Sequence, residues 1–116
     1  VEPVISVDDV LEFRRTAASV SVSDELKSYL VRLVAATRDH EHIELGASPR
    51  ASLTLLKSAQ ALALIDGLDY VVPDHVQELA PLVLAHRISV RAESKFAGTS
   101  PTTLVAELLE SVEVPK

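Results

Sequence analysis

Gly46-Ala47-Ser48-Pro49-Arg50-Ala51-Ser52-Leu53-Thr54-Leu55 opens a helix with three successive start signals. Gly46 permits a tight backbone bend, Ser48 is a good N-cap, and Pro49 suits the first helical position, where a missing N–H costs nothing. The apolar pattern then runs through Ala61-Leu62-Ala63-Leu64-Ile65 to Asp66, and Gly67 supplies a C′ stop. That run is apolar all round, which predicts the central, most buried helix of the fold. Arg50 falls at about the second helical position, beside unpaired N–H groups and the positive end of the helix dipole. A cation is unfavourable there unless it meets a nearby carboxylate, points into water, or serves an external anion.

Towards the N-terminus, Ser23-Asp24-Glu25 caps a helix in which Leu26, Tyr29, Leu30, Leu33, Val34 and Thr37 keep helical spacing to about Asp39. Ser6 with Asp8 and Asp9 predicts a first helix over 6–18, with Val7, Val10, Leu11 and Ala18 recurring on one face. Towards the C-terminus, Pro73-Asp74 restarts a helix using Val76, Leu79, Ala80 and Val83; Pro81 within it lacks the N–H that would bond Gln77 and predicts a kink or short break. Ser100-Pro101 opens a last helix carrying Leu104, Val105, Leu108, Leu109 and Val112. Residues 40–47 and 91–99 read as loops. Val20 and Val22 alternate with serines, and Ile88 and Val90 with Ser89 and Arg91, so the two pairs are expected to form a minor two-stranded ribbon. The fold class is all-α, about five helices in one small bundle.

Composition agrees. Apolar residues make up 47% of the 116 positions but aromatics only 3%, so the core must be aliphatic, built at helix contacts. The net charge of −6, with scattered basic residues, disfavours a nucleic-acid surface. Zero cysteines remove disulfides, thiolate nucleophiles and zinc knuckles, and fit a cytoplasmic protein. No apolar run approaches the ~18 residues of a membrane span. Val1-Glu2-Pro3 has neither an initiator Met nor a leader pattern and reads as the interior of a longer protein.

Taken together, Gly46-Ala47-Ser48-Pro49-Arg50-Ala51, Gly67-Leu68-Asp69-Tyr70-Val71-Val72-Pro73-Asp74-His75-Val76 and Val83-Leu84-Ala85-His86-Arg87-Ile88 resemble the C-terminal lid of MoxR-type AAA+ ATPases. Leu33-Val34-Ala35-Ala36-Thr37-Arg38 resembles the end of that lid's preceding helix, and Val112-Glu113-Val114-Pro115 its closing segment. Leu68 departs from the pattern, which often has an arginine after the glycine. The resemblance implies a single lid domain over 1–116. Arg50 would be the sensor 2 residue reaching the nucleotide phosphates, with Gly46, Ala47, Ser48 and Pro49 supporting the turn that aims it. It implies a parent that binds ATP and Mg2+ through a P-loop α/β domain absent from this chain and hydrolyses ATP. That parent is expected to form a homo-oligomeric ring, as a hexamer, and to act as a chaperone-like remodeler with von Willebrand A-domain partners. The lid alone is expected to bind neither cofactor and to catalyse nothing.

Other constellations read more simply. Leu62-Ala63-Leu64-Ile65-Asp66 imitates a Walker B strand, but the run continues a helix that Gly67 ends. Gly46, Gly67 and Gly98 are followed by Ala, Leu and Thr, so no Gly-Lys pair of a P-loop exists. His40 and His42 with Glu41 and Glu44 read as a solvated loop and no metal site is assigned. His86-Arg87 reads as a cationic cap on the preceding helix, with room for Arg87 to touch an ATPase core. The alternative function is an acidic helical protein-interaction module, whose key surface would be an exposed apolar patch. A helix-turn-helix over 24–66 is disfavoured because the 40–47 loop exceeds the usual 3–4-residue turn.

Overall fold

The computed structural model describes residues 6–115; the reading of Val1 to Pro3 lies outside them. The elements are α1 (Val7–Ala18), α2 (Asp24–Ala36), β1 (Ile43–Leu45), α3 (Arg50–Ile65), α4 (Pro73–Leu84), a 3-10 turn (Ala85–Arg87), β2 (Ser89–Val90), α5 (Ala92–Phe96) and α6 (Pro101–Ser111). Three helix starts follow from serine caps. Ser6 Oγ accepts from Asp9 N–H at 3.2 Å while Asp9 Oδ2 accepts from Ser6 N–H at 3.1 Å, closing a capping box. Ser23 and Ser100 each accept from the N–H three residues on, at 3.2 Å, to open α2 and α6.

α3 lies at the centre, packed against α1, α2 and α4, and α6 closes the bundle against α4 and α2. Its buried positions are Ala51, Leu55, Ala59 and Ala63, every fourth residue, and three of the four are alanines. Small side chains let neighbouring helices approach the α3 axis, and larger residues such as Leu30, Leu33, Val76 and Leu84 fill the space between. The helix ends in a Schellman motif. Gly67 adopts φ +80°, its N–H donates to Leu64 C=O at 3.0 Å, and Leu68 N–H donates to Ala63 C=O at 2.9 Å.

Several expectations need correction. The ribbon joins β1 to β2, with Ile43 opposite Val90 and Leu45 opposite Ser89. Val20 and Val22 are not its partners. The α3 reversal at Gly67 brings residues 69–71 beside the α1–α2 link instead, where Ser21 N–H donates to Asp69 C=O and Val71 N–H to Ser21 C=O, both at 2.9 Å. The 40–47 segment therefore contains a strand, and 91–99 contains α5, a sixth helix beyond the five read from sequence. α3 is central but not buried all round, since Ile65 at its end is 70% exposed. α4 runs through Pro81 without a break, and the Pro81 carbonyl accepts from Ala85 N–H. α1 packs on α3 but buries only Ala17; Val7, Val10, Leu11 and Phe13 remain exposed, so its apolar face is only partly covered among the described residues.

Candidate functional site

The turn that delivers Arg50 is held from below by the end of α2. Thr37 is fully buried one residue past that helix, and its hydroxyl donates to Val34 C=O at 2.6 Å. With its proton committed, Thr37 Oγ1 accepts from the N–H of Ala47, itself fully buried, at 2.9 Å. Arg38 Nε donates to the Ala47 carbonyl at 3.0 Å. Both backbone polar atoms of Ala47 are thus bonded to consecutive residues of another segment. The approach is possible only because Gly46 lacks a side chain, for a Cβ there would sit 2.6 Å from the Thr37 carbonyl oxygen and 2.8 Å from Arg38 Cα. Gly46 does not adopt positive φ. Its role is close backbone contact, a reason for glycine other than the tight bend read from sequence.

Ser48, Pro49 and Arg50 emerge on the surface, and Ala51 returns to the core. Ser48 does not cap the helix with its side chain. Pro49 takes the cap position in helical geometry (φ −56°, ψ −26°), and the Ser48 and Pro49 carbonyls accept from Ala51 and Ser52 N–H at 2.9 and 3.1 Å. Proline's restricted φ extends helical conformation back by one residue, so the extended backbone a serine cap requires falls outside the turn. Arg50 is consequently the first residue of α3 instead of the second. The first turn of α3 contains no acid, and among the described residues Arg50 makes no ion pair. An exposed guanidinium therefore stands at the positive end of a helix dipole with no carboxylate in the turn to neutralise it.

The remaining candidates have structural duties. Asp66 lies at the C-cap of α3, and its Oδ2 is 3.1 Å from Nε2 of the buried His75. His75 Nδ1 accepts from Val72 N–H at 3.1 Å, so Nε2 carries the proton and donates to Asp66. His42 Nδ1 is 2.7 Å from Ser94 Oγ and ties the ribbon to α5, and His40 Nε2 is 3.5 Å from Glu107 Oε2. No cluster of three or more metal-ligating side chains occurs among the described residues. Arg87 Nη1 donates to Val83 C=O at 2.9 Å, the helix-capping duty read from sequence.

Residues 35–108 match the AAA lid domain family. The chain is an AAA lid domain. The matched span includes Thr37, Arg38, the Gly46–Arg50 turn and most of the bundle. Its full-length relatives give the lid its type, which is MoxR. The chain is 43% identical over 114 residues to YeaC of Bacillus subtilis, covering 98% of this lid and 36% of that protein. It is 36% identical over 122 residues to chaperone MoxR1 of Mycobacterium tuberculosis, covering 97% of the lid and 32% of the relative. A crystal structure of a candidate ATPase from Cytophaga hutchinsonii superposes with a TM-score of 0.92 at 33% identity, over 99% of the lid and 38% of that chain. The lid therefore spans about a third of the length of the proteins it resembles.

The anchoring of Ala47 by Thr37 and Arg38 was not legible in the sequence, because nothing local marks contacts made ten and nine residues away. One consequence is measurable. Thr37→Val keeps the side-chain volume but leaves Ala47 N–H buried without an acceptor, which should destabilise the domain by about 1–3 kcal/mol. Thermal melts of the two forms test it; an unchanged Tm would mean that the hydroxyl does not hold the turn.

Proposed function

We propose that this lid closes over ATP held by the P-loop domain of a longer AAA+ ATPase and presents Arg50, as the sensor 2 arginine, to the nucleotide phosphates. The observation that carries the reading is the geometry of Arg50: exposed, unpaired with any acid among the described residues, and set at a helix start whose backbone is clamped to α2. Phosphoryl transfer is catalysed mainly by positioning and charge stabilisation, so an arginine delivered by a closing domain couples closure to nucleotide state. The first turn of α3 fits a phosphate, since it sets an exposed guanidinium at the positive end of a helix dipole with no acid in the turn. It does not fit Mg2+, which takes oxygen ligands, because no carboxylate stands in the turn; the metal belongs with the P-loop domain.

The whole protein, on this reading, is a cytoplasmic ATP-driven remodeler that works as a homo-oligomeric ring with von Willebrand A-domain partners. The M. tuberculosis relative is named a chaperone, which supports the remodeling role. No helix among the described residues is long and apolar enough to cross a membrane. One observation favours a second reading, a protein-interaction module: Val10, Phe13 and Ala17 of α1 line an open groove of about 660 Å³ against Lys57 and Ala61 of α3.

Nucleotide titration separates the two. The isolated lid should give only weak, unsaturated amide shifts near Ser48 to Ala51 at millimolar ATP, since a single exposed charge contact supplies ~0.2–1 kcal/mol where millimolar affinity needs about 4. In the full-length protein, ATP should slow hydrogen exchange at residues 48–52. Saturation of the isolated lid at micromolar ATP, or no protection in the full-length protein, would reject the lid mechanism.

A further inference from the structure

Arg38 has one of its three guanidinium nitrogens committed. Nε bonds the Ala47 carbonyl, while Nη1 and Nη2 have no acceptor among the described residues. Ala47 stands three residues before Arg50, and the segment between has little freedom. Pro49 restricts its own φ, Ala51 is buried against the core, and the Ala47 N–H is held by Thr37. The Arg38 bond completes this arrangement. Without it, the peptide between Ala47 and Ser48 would be fixed only at its Ala47 end and could tilt, turning the exposed start of α3 with it.

We propose that Arg38 is a positioning residue for Arg50: it anchors the Ala47 carbonyl so that the first turn of α3 presents the Arg50 guanidinium at one angle. The inference rests on the sensor 2 reading of Arg50. Its chemical logic is that a long, exposed arginine reaches a phosphate reproducibly only if its Cα–Cβ direction is fixed, and a displacement of about 1 Å at a catalytic group can cost about a hundredfold. Arg38 also couples α2 to the nucleotide-facing turn through one donor. A shift of α2 would therefore be felt at Arg50.

The experiment compares ATP turnover of the full-length protein with its Arg38→Ala, Arg38→Lys, Arg50→Ala and Arg38→Ala/Arg50→Ala forms, with Tm measured on each. Arg38→Ala should lower kcat about tenfold, with a Tm loss no larger than that of Thr37→Val, because the bond it removes is only part-buried and water can replace the donor. Arg38→Lys, which keeps the charge and the stem but has no donor at the Nε position, should lose a similar amount. The double variant should fall no lower than Arg50→Ala, because a positioning residue has nothing to position once Arg50 is gone. Additive losses would give Arg38 a contact of its own and overturn the proposal, as would wild-type kcat in Arg38→Ala or Arg38→Lys. Wild-type turnover in Arg50→Ala would overturn the sensor reading and this inference with it. Loss in Arg50→Ala alone overturns only the role of Arg38.

Discussion

Arg50→Ala in the full-length ATPase is expected to cut ATP turnover by roughly ten to over a hundredfold while leaving the Tm of the lid unchanged or slightly raised. The two halves of this expectation have separate causes. Arg50 is exposed and makes no ion pair among the described residues, so the folded lid loses no internal contact when it is removed. A cation at a helix N-terminus opposes the dipole by ~0.3–1 kcal/mol, and its removal relieves that cost. Loss from a phosphate site instead removes a charge-assisted hydrogen bond, on the order of 1.5–3 kcal/mol, which converts to the stated range of rate or affinity. Arg50→Lys should recover only part of the loss, because an ammonium keeps the charge without the planar fork that grips two oxygens. Steady-state turnover and melting curves of the three forms decide the matter. Wild-type turnover in Arg50→Ala, or a Tm that collapses with activity, would make Arg50 structural.

Gly46→Ala should be the most damaging single methyl added to this domain, lowering its stability by about 3 kcal/mol and its Tm by more than ~10 °C. The new Cβ would stand 2.6 Å from Thr37 O, 2.7 Å from Thr37 C and 2.8 Å from Arg38 Cα. All three are backbone atoms that no rotamer change can move. The turn would have to lift from α2, and with it would go the bonds from Ala47 N–H to Thr37 Oγ1 and from Arg38 Nε to Ala47 C=O. Gly67→Ala is the control. Gly67 has φ +80°, but a Cβ added there would meet nothing within 4 Å, so alanine incurs backbone strain alone, about 1 kcal/mol. Melting the isolated domain in both forms ranks the two effects. A Gly46→Ala protein as stable as Gly67→Ala would show that the turn can leave α2 at little cost.

What could be read without a structure is what depends on residues three to five apart. The Ser6, Ser23 and Ser100 caps and the Gly67 stop form as expected, because each is closed by hydrogen bonds within one turn of the chain. Arg50 was legible for the same reason, its exposed place in the first turn following from Pro49 and the apolar run behind it. Ser48 shows where local reading fails: cap propensity is real, but Pro49 in helical geometry already begins the turn.

The tertiary structure alone decided which distant backbones meet. Ile43 and Leu45 stand among histidines and glutamates, yet Ile43 is buried and pairs with Val90, whereas Val20 and Val22, alternating with serines, do not form the ribbon. Strand pairing depends on where α3 and its reversal deliver each segment, which β propensity does not encode. Gly46, Thr37 and Arg38 follow the same rule. Their types permit many roles, and only the approach of residues 46–47 to the end of α2 makes one a missing side chain, one a buried acceptor and one a donor to the carbonyl of Ala47, three residues before Arg50.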